Sequence, residues 1–275
     1  MPLEPHLKQA LRGLLDWNCR ASLWESSLAA RLGRRDGLDD FRRRVLAGLL
    51  APGLRVLDVG GGKLPAFAEP VKREWGLHVV GLDVSRHELE QAAPGAYDER
   101  VVGDVATVRF RPTFDLIVSR FVLEHVRNTP AALANMAAAL RPGGVMAHLL
   151  PSSRAGYAIV NRLIGNRLAR GLLHALYPAC RPFSGFEAYY DHCTPGEMSG
   201  LCHDEQLKIV ELTPYYRSDY FRFCLPIHTL EVGRQLLCMK LGIRDLAESF
   251  ALVARKPAEV SEPALLVTAD CEDRA

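Results

Sequence analysis

VLDVGGGKLP, residues 56–65, is the stretch that decides how this chain folds. A short apolar strand from Arg55 to Val59 carries one acid, Asp58, and runs straight into Gly60, Gly61 and Gly62. Three glycines at a strand end let the backbone turn sharply and let a ligand approach with no side chain in the way. Pro65 suits the first turn of a helix, where its missing N–H is no loss. Strand, glycine turn and helix start is the arrangement by which open α/β sheets hold nucleotide-like ligands at their strand ends. A glycine run is also compatible with a plain turn, so the neighbouring residues must decide.

Working outward, HVVGLDVS (78–85) reads as a second apolar strand ending in Asp83. A carboxylate about 20 residues past a glycine turn is placed to accept hydrogen bonds from ribose hydroxyls. The alternative is a strand-end Asp that caps the next helix, with Ser85 as the rival cap. Gly60 and Gly62 fit the first two places of a GxGxxG dinucleotide fingerprint, but Pro65 stands where the third glycine belongs. That glycine permits close helix–strand packing, so nicotinamide and flavin dinucleotides are disfavoured.

Three further segments follow in order: VVGDVATVRF (101–110), FDLIVSRFVLEHV (114–126) and LRPGGVMAHLLP (140–151). Together the five resemble the motifs of class I S-adenosylmethionine-dependent methyltransferases, and most closely the small-molecule, type 11-like group with "EHV" after the fourth strand. The resemblance covers residues 50–150 well. It implies an α/β fold: a Rossmann-like seven-stranded, mostly parallel sheet with helices on both faces, the last strand antiparallel. It implies S-adenosylmethionine as cofactor and S-adenosylhomocysteine as product. Asp58, Gly60, Gly61 and Gly62 would surround the amino-acid end of the cofactor. Asp83 would hold the ribose, with Val84 beside it, while Asp104 and Val105 would meet the adenine. Arg120 would line the same pocket. Leu64 departs from the family's GxGxG pattern, and Lys63 beside it either pairs with the cofactor carboxylate or is solvated.

Composition sets the outer bounds. A chain of 275 residues with 48% hydrophobic content holds one large domain, or one domain and a substantial lid. A formal net charge of +2 gives no argument for nucleic acid. Every long apolar run is broken by Arg, His or Pro, so no transmembrane segment is expected, and a cytoplasmic location follows. Seven irregularly spaced cysteines point to reduced thiols, and His192-Cys193 and Cys202-His203 lack zinc-ligand spacing, so no metal is expected.

The expected organisation is an N-terminal helical segment (1–50), a cofactor-binding core (51–150), a helical lid or acceptor insertion (151–206), the final strands with an intervening helix (207–256) and a disordered tail (257–275). Leu7, Leu11, Leu14 and Leu15 repeat at helical spacing. Trp17 and Trp24 are expected in the core, the alternative being the cofactor pocket. Arg42, Arg43 and Arg44 are expected on a solvated helix face, the alternative being a phosphate-binding role.

Residues 151–206 are far longer than the dozen or so that a crossover needs. Within them 154–183 carries five arginines and no acid, a basic amphipathic stretch. It is read as a lid, with peripheral membrane contact as an alternative. Tyrosines cluster beyond the fifth strand, and Tyr189, Tyr190 and His192 in FEAYYDHC are the acceptor-site candidates. His125 is the candidate catalytic base, although in this group that histidine is more often structural. The expected activity is methyl transfer to a small, partly apolar or aromatic acceptor. The alternatives are a methyltransferase for protein or RNA, and a non-catalytic cofactor-binding module. The sequence leaves the oligomeric state open.

Overall fold

The computed structural model describes residues 5–165, Leu168, Gly171 and 186–258. Arg167, Arg170, Tyr177 and Arg181 of the basic stretch, and the tail from 259, lie outside the described residues. Among the described residues, seven strands form one sheet: β1 (Arg55–Val59), β2 (His78–Asp83), β3 (Glu99–Val102), β4 (Phe114–Arg120), β5 (Leu140–Pro151), β6 (Lys208–Tyr215) and β7 (Ser249–Arg255). The spatial order is β3-β2-β1-β4-β5-β7-β6. All neighbours pair in parallel except β7, which is antiparallel to both β5 and β6.

The strands are apolar almost throughout because both faces are covered. Leu57, Val59, Ile117, Met146 and Phe250 enter one core layer, and Val56, Val79, Val118, Ala147 and Leu149 enter the other. The first layer packs against α6 (Thr129–Ala139) and α8 (Pro195–Asp204) through Leu133, Met136, Met198 and Cys202. The second receives Phe41 and Val45 from a helix that starts as α2 (Gly37–Asp40), passes through a π-helical stretch Phe41–Leu46, and ends as α3 (Ala47–Leu49). Strand order reverses between β1 and β4, which opens a crevice at their carboxyl ends.

Two expectations change. The helix after the glycine turn, α4 (Glu69–Trp75), starts four residues later than Pro65, with Pro70 in its first turn. Trp17 and Trp24 are not core residues: they are 54% and 67% exposed. The reason is the orientation of α1 (Pro5–Ala30), which packs on α9 (Leu225–Leu241) through polar side chains. Asn18 accepts from the Leu225 N–H at 2.8 Å. His228, buried at this contact, bonds Glu25 at 2.8 Å and Ser26 at 3.2 Å. Arg34, just past α1, is buried and donates to the Tyr216 carbonyl at 2.9 Å and to Gln235. Between β5 and α8 the chain forms α7 (Gly156–Ile164). No helix among the described residues is long and apolar enough to cross a membrane.

Candidate active site

The crevice at the ends of β1 and β4 holds two chambers of about 390 and 260 Å³. Both are lined by Gly60, Asp83, Phe121 and Phe186, so they are two parts of one cleft. The first is the glycine-loop chamber. Gly60 has φ +66° and Gly62 φ +47°, in the left-handed region that glycine enters without cost. A Cβ on Gly60 would run into Val122, and one on Gly61 would meet Asp58 and the Tyr97 hydroxyl. Nothing larger than glycine fits between this loop and what stands behind it.

Asp58 braces the loop from beneath. It accepts from the Ala66 N–H at 2.7 Å and the Tyr97 hydroxyl at 3.3 Å. Burial pushes its pKa to about 6, against the opposing pull of the Arg120 guanidinium and these hydrogen bonds. Arg120 donates to the Leu64 carbonyl at 2.6 Å, which ties β4 to the loop. Leu64 itself is exposed, so the side chain that breaks the glycine pattern stands at the rim. Lys63 pairs with Glu88 at 3.2 Å. Arg42 lines this chamber as well, so the chamber wall carries Arg42, Lys63 and Arg120. Arg42 is exposed, as expected, and also borders this chamber. Arg43 and Arg44 do sit on an exposed face, paired with Asp39 and Asp40, and Arg44 also reaches Glu211.

The second chamber is lined by Val84, Asp104, Val105, Val122, His125, Arg127 and Tyr189 among others. Asp83, at its junction with the first, accepts from the Ser85 N–H at 2.8 Å, while Ser85 caps α5 (Arg86–Glu90). The helix cap thus belongs to Ser85, the rival, and Asp83 braces the turn and lines the cleft. Burial raises its pKa. Asp104 similarly accepts from the Ala106 N–H at 2.8 Å. Every residue proposed for the cofactor, namely Asp58, Gly60, Gly61, Gly62, Asp83, Val84, Asp104, Val105 and Arg120, lines one chamber or the other.

His125 ends the 3-10 turn Leu123–His125 and lines the second chamber. Its Nδ1 lies 2.9 Å from the Glu187 carbonyl oxygen. A carbonyl only accepts, so Nδ1 carries the proton and Nε2 keeps its lone pair. Burial holds the His125 pKa below its usual value. Tyr189 stacks under the Arg127 guanidinium at 4.8 Å. The amides of Tyr189 and Tyr190 donate to the Glu124 carbonyl at 2.7 and 3.0 Å, which hangs this part of the insertion on the LEHV turn. Tyr190 packs against the core and His192 bonds Asp191 at 2.7 Å; neither lines a chamber.

Sequence reasoning missed Phe121, Phe186 and Glu124. Phe121 has φ +54°, uncommon for a bulky side chain, and projects where the chambers meet. Glu124 is buried with Oε2 unpartnered, and burial pushes its pKa to about 8. The LEHV motif drew attention to its histidine, and nothing in the sequence distinguishes a buried Glu there from a solvated one.

The Methyltransferase domain family profile matches residues 31–212. A ubiquinone biosynthesis O-methyltransferase of Mesorhizobium japonicum is 35% identical over 134 residues, 46% of this chain and 49% of that protein. The chain thus spans about half the length of that relative. The fold is similar to an S-adenosylmethionine-dependent methyltransferase of Mesorhizobium loti, with a TM-score of 0.51 and 18% identity over 77% of this chain and 96% of the other. It is also similar to phosphoethanolamine N-methyltransferase 2 of Haemonchus contortus, solved with S-adenosyl-L-methionine, at a TM-score of 0.50 and 16% identity over 79% and 52% of the two chains. With the glycine cradle, the two strand-end carboxylates and the seven-strand order in place, this chain belongs to the class I S-adenosylmethionine-dependent methyltransferases.

Proposed function

We propose that this chain transfers a methyl group from S-adenosylmethionine to a hydroxyl on a small, partly apolar or aromatic acceptor. One observation carries the reading: a polar, cation-lined glycine chamber and an apolar, aromatic-rimmed chamber meet at Asp83, and His125 lines the second. The residues fit the cofactor in chemistry. Arg42, Lys63 and Arg120 surround the chamber in which a carboxylate end would sit, and the glycine loop leaves its backbone open to close approach. Asp83 would accept the ribose hydroxyls, and Val84, Asp104 and Val105 would hold the base. When bound, the cofactor supplies an electrophilic methyl carbon.

The protein's own contribution is positioning and exclusion of water. Phe121, Phe186 and Tyr189 offer apolar and aromatic surface for the acceptor at the chamber junction and its second wall. A hydroxyl is a poor nucleophile until its proton is removed. His125 would take that proton on Nε2, since Nδ1 is already committed to the Glu187 carbonyl. The oxygen in the name of the Mesorhizobium japonicum relative agrees with this choice of accepting atom.

The test is a thermal shift followed by turnover. S-adenosylmethionine or S-adenosylhomocysteine at 100 times its Kd should stabilise the protein by about 2.7 kcal/mol, and NAD should not. For a chain of this size that raises Tm by roughly 5–10 °C. Asp83→Ala should remove most of the shift. Transfer of label from methyl-labelled cofactor to members of a phenol and catechol panel completes the test; label appearing only in added protein or RNA overturns the acceptor class.

A further inference from the structure

The N-terminal helix is inside out. Asn18, Glu25 and Ser26 bond across to α9 and its N-terminus, beside buried Ser22 and Ala29 and half-buried Leu15, whereas four of its largest apolar side chains are exposed. Leu14, Trp17, Trp24 and Leu28 are 56, 54, 67 and 39% exposed. Together with half-buried Ala21 they fall at intervals of three, four, three and four residues. That is a 3.5-residue repeat, the seam by which one helix packs on another. A surface helix serving only its own fold would carry its apolar stripe toward the core.

We propose that this seam is a homodimer interface, in which α1 packs antiparallel against α1 of a second copy. Two observations select that occupant. The first is register. An antiparallel pairing that sets Trp24 against the partner's Ala21 also sets Trp17 against the partner's Leu28, so each large side chain meets a smaller one. A two-fold axis repeats both contacts, as a self-complementary interface requires. The second is area. Two tryptophans and two leucines at these exposures offer on the order of 400–500 Å² per helix, and Leu11 and Leu32, also exposed, extend the patch towards the roughly 800 Å² each partner gives a standard interface. The polar contact with α9 anchors the helix so that the seam is presented rather than folded inward.

Sedimentation-velocity analysis of the whole protein at micromolar concentrations tests this directly. The wild type should sediment as a dimer, and its tryptophan emission should shift to the red on dilution. Trp24→Glu should weaken dimerisation by at least about 30-fold, the loss expected of an aromatic anchor. Ala21→Trp fills the hole opposite Trp24 and should dissociate the dimer as well, although at a half-exposed monomer position it leaves the fold intact. Circular dichroism and the cofactor-induced thermal shift should be unchanged in both variants, because the seam lies outside the cleft. A wild-type protein that stays monomeric at 50 µM, or a dimer that survives both substitutions, overturns the proposal. So does a monomer that co-sediments with phosphatidylcholine–phosphatidylglycerol vesicles and loses them on Trp24→Glu, which would assign the seam to lipid.

Discussion

At Gly60 two constraints coincide: a positive φ and a neighbour, Val122, standing where a Cβ would go. Gly60→Ala should therefore cost about 1–3 kcal/mol of stability, readable in urea unfolding, and should also abolish the thermal response to S-adenosylmethionine. A variant that loses stability but keeps the full ligand response would detach this loop from the cofactor. His125 makes a different kind of prediction. In the proposed reaction its neutral form would be the base, and burial holds its pKa below the usual 6.5. The rate should be flat above that value and should fall as acid protonates Nε2. Measured as kcat/KM against pH, this limb should vanish in His125→Ala, with a loss of about 10²–10⁴ on the plateau. A wild-type limb that persists in the variant assigns the titration to another group. These residues also show where the sequence was readable. Asp58, Asp83 and the glycines were legible because the chemistry of a strand end allows few residue types. Phe121 and Phe186 were not, since only the turn after β4 and the path of the insertion bring them to the same junction.

Among the elements, the docking of α1 on α9 is the contact whose strength depends on pH. Burial alone would lower the His228 pKa, but the Asp219 carboxylate 3.6 Å away and Glu25, hydrogen-bonded at 2.8 Å, outweigh it and hold the imidazolium above its usual range. Asp219 is held down at about 2 by His228, Ser26 and Arg217, against its own burial. A histidine whose folded pKa is raised contributes its full stabilisation below about pH 6.5 and loses it as pH climbs through the folded value. His228→Ala should accordingly cost about 1–3 kcal/mol at pH 6 and much less at pH 9, measured by chemical unfolding at each pH. An equal cost at both would mean that only packing is lost. The strands were legible because a sheet covered on both faces writes itself as short β-branched runs between turns. The orientation of α1 was not: helical spacing of leucines marks an apolar stripe but says nothing of what lies against it. Here polar groups bury themselves by pairing, and the apolar ones are left outside.

In the molecule as a whole, the order β3-β2-β1-β4-β5-β7-β6 concentrates every cleft residue at one end of the sheet. The cleft walls come from segments as far apart as Arg42 and Tyr189, so the N-terminal helices and the insertion meet at the same cleft. Four of the five motifs place that cleft, because their glycines, carboxylates and histidine follow the carboxyl ends of β1 to β4; the fifth spans β5 and lines neither chamber. Arg42 escaped because consecutive helical residues point about 100° apart and the sequence does not say which of the three arginines faces the cleft. Phe41–Leu46 is a π-helical stretch that holds Phe41 in the core and Arg42 at the first chamber. Such a stretch closes its hydrogen bonds one residue further along than an α-helix does. Removing a single residue there would let the normal ladder close, swinging whatever precedes the deletion by about 100° around the helix axis. Phe41 would leave the core and Arg42 the cleft, without any change of side-chain chemistry. Chain length, rather than residue identity, is therefore the quantity this segment has to keep, and it should accept most substitutions at its exposed positions while rejecting any shift in count.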